Sequence, residues 1–444
     1  MLCHFKKYSI AVKGVPVLGS ARVEAGSRDR EPYTNRHDFS ASSLSPPACQ
    51  TGICNRDVGP RKTLTMRVAF DGEFLRLPPS GIGGYVRNLV PALRSVDPDL
   101  DVVVLEPGWD HPAPANKRSP LHDRRLRRAA WEMAGFGRAA FRAKPDLLHI
   151  PSFSAPLVAR GPMVVTIHDV IPFLLPAYRA SRAMRAHLTV MRRTVRGAEL
   201  VLAPSRAAAD DIVAELGIDA RLIRVTPEAA GDEYGQAASL DAARESVRRF
   251  GISGRYIFNV GGLDLRKNIP LLLYAFARVR PRLTERVQLV IAGAPHSENP
   301  SVFPPLEPCI QRLGIGDDVV LTGRVSENDK LALYQAADLY VTPSYYEGFG
   351  LTALEAMACG VPTIAANRTS FPEVVGDGGL LVEIDDAALA AAIELVLTNS
   401  AVADDLRVRG LARAAEFSWR RTAELTLDAY REAVSGIRQG AKGG

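Results

Sequence analysis

The reading of the fold starts at Glu347-Gly348-Phe349-Gly350-Leu351-Thr352-Ala353-Leu354-Glu355. An apolar run at 338–342 precedes it and reads as a buried parallel strand. A helical pattern follows through Leu354, Met357 and Ala358 to Gly360. One carboxylate therefore sits at the mouth of a strand-to-helix turn, and a second lies about one turn inside the helix. Gly348 and Gly350 keep side-chain bulk out of the turn, so its N–H groups can approach a ligand closely. The helix N-terminus adds positive partial charge at the same place. This geometry suits a diphosphate. Glu355 is placed to accept hydrogen bonds from sugar hydroxyls such as a ribose, and Glu347 lies beside the group on the far phosphate. Taken alone, the pattern fits equally well a surface Glu and a first-turn Glu that favour the helix dipole, because two Glu eight apart is a weak signal.

Apolar strands alternate with helical patterns from Met66 almost to the C-terminus, the signature of parallel α/β architecture. Strands are expected at 67–71, 101–105, 146–150, 163–167 and 200–203, and then at 255–261, 287–292, 318–322, 338–342, 362–366 and 379–382. Residues 227–235 read as a linker by composition. The expected fold is two Rossmann-like, doubly wound parallel-sheet domains facing a cleft: 66–230, then 236–416, with a last helix over 417–437. Residues 1–65 show no sustained period and no signal-peptide apolar region. They read as a disordered extension, or as an over-called start ahead of Met66.

The 444 residues suffice for two or three full cores, and 47% apolar content is ordinary for a globular protein. No apolar run reaches membrane-spanning length. The formal charge is +6, but residues 1–65, with ten Lys/Arg against five Asp/Glu, supply five of those charges. The remainder is nearly neutral, which argues against a nucleic-acid partner. Cys3, Cys49, Cys54, Cys309 and Cys359 show no metal-ligand spacing, and a reducing, cytoplasmic setting without disulfides is expected.

Four further motifs carry chemistry. Gly81-Ile82-Gly83-Gly84-Tyr85 stands between the first strand and a helix at 86–93. Val86 breaks the G-x-G-x-x-G fingerprint, so a nicotinamide enzyme is disfavoured. A glycine turn there still offers N–H groups to a phosphate, or simply meets a need for positive φ. Gly261-Gly262-Leu263-Asp264-Leu265-Arg266-Lys267-Asn268 follows the first strand of the second domain. Its adjacent cations open a helix, and Arg can clamp phosphate oxygens bidentately while Lys adds a point charge. His149-Ile150-Pro151 and Thr166-Ile167-His168-Asp169 both end parallel strands, where α/β ligand sites lie; His149 is read as structural. Residues 117–144 hold nine Lys/Arg against two acids, and 178–197 hold six Arg and none, with Met184, Leu188 and Met191 at helical spacing. Both stretches read as basic amphipathic helices, suited to an anionic membrane surface or lipid-linked acceptor, or else as solvated faces.

The stretch Pro343-Ser344-Tyr345-Tyr346-Glu347-Gly348-Phe349-Gly350-Leu351, with Glu355-Ala356-Met357-Ala358 and Gly360-Val361-Pro362, resembles the E-x7-E region of retaining GT-B glycosyltransferases, family four in particular. The resemblance runs over nearly all of 66–437, with several motifs in the family's order. It implies transfer of a hexose from a nucleoside diphosphate sugar to a saccharide or polyprenyl- or lipid-linked acceptor. The acceptor would attack on the face the leaving group departs from, with a leaving phosphate oxygen as base. Arg266, Lys267 and the turn Gly348, Phe349, Gly350, Leu351 would hold the diphosphate, and Gly83 and Gly84 would lie close to it. Glu355 would bind the ribose. Glu347 and His168 would orient the sugar. Val325, in Gly323-Arg324-Val325-Ser326, would border the base.

Two departures stand out: some family members carry an arginine where this chain has Gly261, and many have Pro at Thr352. Asp99-Leu100-Asp101 fits D-x-D by letters, but it precedes its strand, whereas a metal-binding D-x-D should follow one. No cofactor and no metal are expected. The Arg-Lys-Asn and Tyr-Glu-Gly-Phe-Gly-Leu forms look most like bacterial mannosyltransferases of surface polysaccharide, so GDP-mannose is the first-choice donor. UDP-glucose-type or dTDP-rhamnose donors, a non-catalytic nucleotide-sugar-binding partner and a GT-B epimerase or phosphorylase are the alternatives.

Overall fold

Two six-stranded sheets, parallel throughout, organise the molecule. The computed structural model describes residues 65–76, 80–108, 124–158, 160–295, 297 and 299–440. These residues fall in one compact unit that begins at Thr65. The reading of 1–65 as a tail thus lies outside the described residues, save for Thr65, as does part of the basic stretch at 117–144.

The first sheet holds β1 (Arg67–Asp71), β2 (Asp101–Leu105), β3 (Leu147–Ile150), β4 (Met163–Thr166), β5 (Leu200–Ala203) and β6 (Ile223–Val225), in the order β2-β1-β3-β4-β5-β6. The second holds β7 (Arg255–Val260), β8 (Val287–Ala292), β9 (Val319–Gly323), β10 (Leu339–Thr342), β11 (Thr363–Ala366) and β12 (Leu380–Val382), in the order β12-β11-β10-β7-β8-β9. All eleven strands read from the sequence are present within a residue at each end. The twelfth, β6, has three half-buried residues with Arg224 at its centre, too short and too polar to show a period.

The strands read as continuous apolar runs because helices cover both faces of each sheet. On one face of the first sheet, Val68 and Phe70 pack with Tyr85, Leu89 and Leu93 of the helix Gly81–Val96. On the other, Ala69 meets Trp131, Phe136 and Ile150. The second sheet buries Phe258, Tyr334 and Leu354 on one face and Ile257, Leu272, Phe276 and Ile393 on the other.

The last helix, Trp419–Gly440, returns to the first sheet. Trp419, Ala423, Leu427 and Tyr430 join the core around Val68 and Leu89. Thr422 Oγ1 donates to the Pro227 carbonyl at 2.6 Å. The Tyr430 hydroxyl meets His149 Nδ1, whose other nitrogen lies 2.8 Å from Thr166 Oγ1. His149 is fully buried, and burial pushes its pKa down to about 3, so it is a neutral strut between sheet and helix. Tyr430→Phe leaves a buried ring nitrogen without its partner. It should cost about 1–3 kcal/mol, read as a lowered Tm in calorimetry, and an unchanged Tm would show that the bond does not anchor the helix.

Candidate functional site

In the second sheet β7 and β10 are neighbours, but β7 connects onward to one side and β10 to the other. Ligand crevices of doubly wound sheets open at such a switch point, outside the carboxyl ends of the two strands. Arg266 and Lys267 follow β7, and Glu347 follows β10, so the topology alone brings cations and carboxylate together. Arg266 Nη1 lies 2.6 Å from Glu347 Oε2, and Lys267 Nζ lies 2.8 Å from Glu347 Oε1. All three are largely buried. Burial alone would raise the Glu347 carboxyl, but Arg266 first and Lys267 second outweigh it and hold it down at about 2.

Local sequence explains how two adjacent residues both reach the carboxylate. Asp264 caps the short turn Leu265–Lys267 by accepting from Arg266 N at 3.1 Å, and its Oδ1 lies 3.2 Å from Arg266 Nε. Asn268 ends the turn in the left-handed region at φ 53° and donates to the Pro343 carbonyl at 3.2 Å. Gly261 supplies the room: a Cβ there would stand 2.7 Å from Lys267 Cε. A side chain at position 261 would thus occupy the space of the Lys267 stem.

The sequence places Glu355 in the crevice for a ribose. The structure buries it in the helix Leu351–Ala358, with Oε1 3.2 Å from Lys330 Nζ and Oε2 2.9 Å from the Tyr334 hydroxyl. Sequence reading missed both partners. Their signal was present in helical spacing, because Lys330 and Tyr334 are four apart on the helix Glu327–Gln335. Burial raises the Glu355 pKa, and Lys330 works against that rise. Val325 packs at the edge of the same core, and Leu351 opens the Glu355 helix. Gly350 caps that helix at φ 100°, a value glycine adopts without strain. The N–H groups of Leu351 and Thr352 have no intrahelical acceptor, whereas that of Ala353 donates to the Gly350 carbonyl at 2.9 Å. The Phe349 side chain faces away, buried against Phe417 at 5.8 Å between ring centroids.

Across the crevice His168 follows β4. Its Nδ1 lies 2.6 Å from Glu228 Oε1 and its Nε2 lies 3.2 Å from the Pro151 carbonyl. Burial would lower the His168 pKa, but Glu228 and Asp169 raise it, and both ring nitrogens face oxygen acceptors. Glu228 belongs to the linker, where composition gave no hint of a charged partner.

Gly83 and Gly84 need a correction. They stand inside the first turn of a helix that starts at Gly81, not in a loop before a helix at 86. None of Gly81, Gly83 and Gly84 has positive φ. Ser80 nucleates the earlier start: its Oγ accepts from Gly83 N at 3.1 Å and its carbonyl from Gly84 N at 2.9 Å. Those two amides are therefore committed to the cap.

The two domains touch at the Glu347–Glu355 turn itself. A Cβ on Gly348 would stand 1.8 Å from the His168 carbonyl oxygen. The glycine is required by this approach as well as by any ligand. Around it, Ser205 Oγ donates to the Gly348 carbonyl at 2.6 Å, and Glu373 accepts from Arg206 N and Ala207 N at 2.8 and 2.7 Å. The Tyr178 hydroxyl donates to Asp264 at 2.6 Å. Gly348→Ala should force the domains apart. A Tm drop equivalent to about 1–3 kcal/mol is expected from the overpacking, and an unperturbed Tm would overturn the contact.

Two doubly wound domains joined across a crevice, with paired cations at the switch point of the second, make up a GT-B architecture. Known proteins agree. The family described as "Glycosyl transferases group 1" matches residues 246–413, and "Glycosyltransferase Family 4" matches 79–230. The O-antigen chain mannosyltransferase B of Escherichia coli is 29% identical over 394 residues, covering 82% of this chain and all of that protein. The serotype-specific mannosyltransferase WbdA of Escherichia coli is 28% identical over 60% of this chain, which spans only 33% of that protein's length. The solved structure of Anabaena HepE in complex with UDP and glucose superposes with a TM-score of 0.63, covering 83% of this chain and all of that one; at 20% identity it shows the fold alone. The chain belongs to the group 1, family 4 glycosyltransferases, and it is a glycosyltransferase.

Proposed function

We propose that the protein transfers mannose from GDP-mannose, with retention of anomeric configuration, to the hydroxyl of a saccharide or lipid-linked acceptor in surface polysaccharide synthesis. The observation that carries this reading is the seat of Glu347 between Arg266 and Lys267. Two buried cations at a switch point already hold an anion there. A diphosphate offers the same cations more oxygens and more charge, and Arg266 can engage it bidentately. The first amides of the helix Leu351–Ala358 add donors. Displaced from the cations, Glu347 is left beside the sugar carried on the far phosphate. The mannosyltransferases to which the chain is similar support the choice of mannose.

In the reaction the anomeric C–O bond to phosphate breaks and the acceptor oxygen forms a bond to the same carbon on the same face. The acceptor proton passes to the departing phosphate oxygen. Arg266 and Lys267 stabilise the charge that grows on that leaving group, so the step needs no metal. Glu355 receives the ribose hydroxyls, and His168 orients the sugar once its Nε2 exchanges the Pro151 carbonyl, 3.2 Å away, for a sugar hydroxyl.

A thermal-shift panel with GDP, UDP, dTDP and ADP in EDTA tests the donor. GDP should raise Tm by mass action, and Lys267→Ala should abolish the rise. A shift with UDP or dTDP alone would replace the sugar, and no shift with any of them would overturn the donor site.

The site of action is proposed to be the cytoplasmic face of the plasma membrane. No single helix among the described residues is long and apolar enough to cross a membrane. On the first domain, exposed Phe141, Leu157 and Val158 stand among exposed Arg138, Arg142 and Arg160, and the Arg160 guanidinium lies 4.8 Å from the Phe141 ring centre. An apolar tip ringed by arginine suits an anionic lipid surface. The helix Arg182–Thr194 buries Leu188 and Met191 and exposes Met184 with its arginines. The protein should sediment with phosphatidylglycerol vesicles and not with phosphatidylcholine ones, and Phe141→Asp should release it. Equal recovery with both lipids would remove the membrane from the reading.

A further inference from the structure

We propose that Lys330 is a positioning residue of the donor site: it holds the Glu355 carboxylate ionised and oriented to accept the ribose hydroxyls of a nucleoside diphosphate sugar. This rests on the donor reading above and adds a residue to it. Lys330 Nζ lies 3.2 Å from Glu355 Oε1 and 2.9 Å from Glu327 Oε2. The Tyr234 ring covers it at 5.2 Å, and the Tyr234 hydroxyl donates to Glu327 at 3.2 Å. The ammonium is thus pinned by one helix neighbour and one linker aromatic, and it aims at a buried carboxylate whose other oxygen meets the Tyr334 hydroxyl.

Geometry makes Lys330 the controlling partner. Each Glu355 oxygen has two lone-pair directions, so Lys330 on Oε1 and Tyr334 on Oε2 leave one acceptor position on each for a vicinal diol. Tyr334 is neutral and donates equally to the Thr352 carbonyl, at 3.0 Å. Lys330 alone supplies opposite charge in contact with Glu355 among the described residues. The titratable groups facing Glu355 are Glu327, Lys330 and Tyr334 on the helix Glu327–Gln335, Tyr234 on the linker, Tyr340 on β10 and Cys359 at the end of its own helix. Arg87 of the first domain acts on Glu327 from across the crevice.

The consequence is a signature in pH. Burial already raises the Glu355 pKa, and Lys330 is the largest influence holding it back. Without that charge the carboxyl titrates at higher pH. Donor affinity, which needs the ionised form, is then lost at higher pH in the variant than in the wild type.

The test measures GDP binding calorimetrically for wild type, Lys330→Met and Lys330→Arg between about pH 5 and 8. Using the ratio of variant to wild-type Kd cancels the nucleotide's own titration. Lys330→Met should weaken binding about tenfold near neutrality, with the ratio climbing as pH falls, and Lys330→Arg should restore most of it. In a Glu355→Gln background, adding Lys330→Met should change nothing further. Should Lys330→Met not fold, Lys330→Gln reads the same loss of charge. A ratio that stays constant with pH would mean that Lys330 contacts the ligand directly, and a ratio of one would mean that it does not act on the site; either overturns the proposal. Wild-type protein that binds neither GDP nor UDP is a separate outcome, which overturns the donor reading and this residue's role together.

Discussion

A carboxylate buried between two cations is the interaction on which the rest of the crevice depends. Each of the three charges would be costly to bury alone. Together Arg266, Lys267, Glu347 and Asp264 balance two positive with two negative charges, and Asp264 is itself fixed by Tyr178 from the first domain. The cluster ties the end of β7 to the end of β10 and reaches across the crevice. It also explains why the turn must be tight. Glu347 sits one residue before the glycine whose missing side chain admits the His168 carbonyl, and Ser370 Oγ holds the turn by donating to the Glu347 and Phe349 carbonyls.

Much of this was legible because it follows from periodicity and strand ends. Parallel strands buried on both faces read as continuous apolar runs, so eleven of them stood out with their boundaries. The residues just after β7, β10 and β4 stood at strand ends, where ligand sites lie, and the resemblance to GT-B glycosyltransferases implied that they share one crevice. What stayed hidden had no period. β6 is three residues of an edge strand with arginine in the middle. Ser80 follows two prolines and was not read as a cap, yet its side chain starts the helix early and so takes Gly83 and Gly84 out of a loop. Side-chain pairing was equally silent. Glu228 and Tyr234 lie in a stretch whose composition says only linker, and their partners His168 and Lys330 are distant in sequence. A pattern along the chain cannot show which charges meet across it.

That linker changes how the domains are to be understood. Residues 227–235 carry Glu228 to His168 on one side and Tyr234 to Lys330 and Glu327 on the other. Thr422 of the returning helix fastens the Pro227 carbonyl. A connector held at both ends cannot swing without breaking charged contacts inside the crevice. Any opening of the domains therefore alters the contacts of His168 and of Lys330 at the same time.

Under the proposed reading, the same charge balance decides when the cations are free to act. Glu347 competes with an incoming diphosphate for Arg266 and Lys267, so some of the attraction of those cations for the donor is offset by the loss of the existing ion pairs. What the donor gains in the ground state is correspondingly reduced. As the sugar–phosphate bond breaks, charge accumulates on the phosphate oxygens, where two cations and the first amides of a helix converge, and those interactions strengthen in the transition state. Over the same interval the displaced carboxylate faces a sugar ring that is becoming positive. A single glutamate thus weakens ground-state binding and favours the charge separation that follows, which is the direction in which binding energy must shift for catalysis.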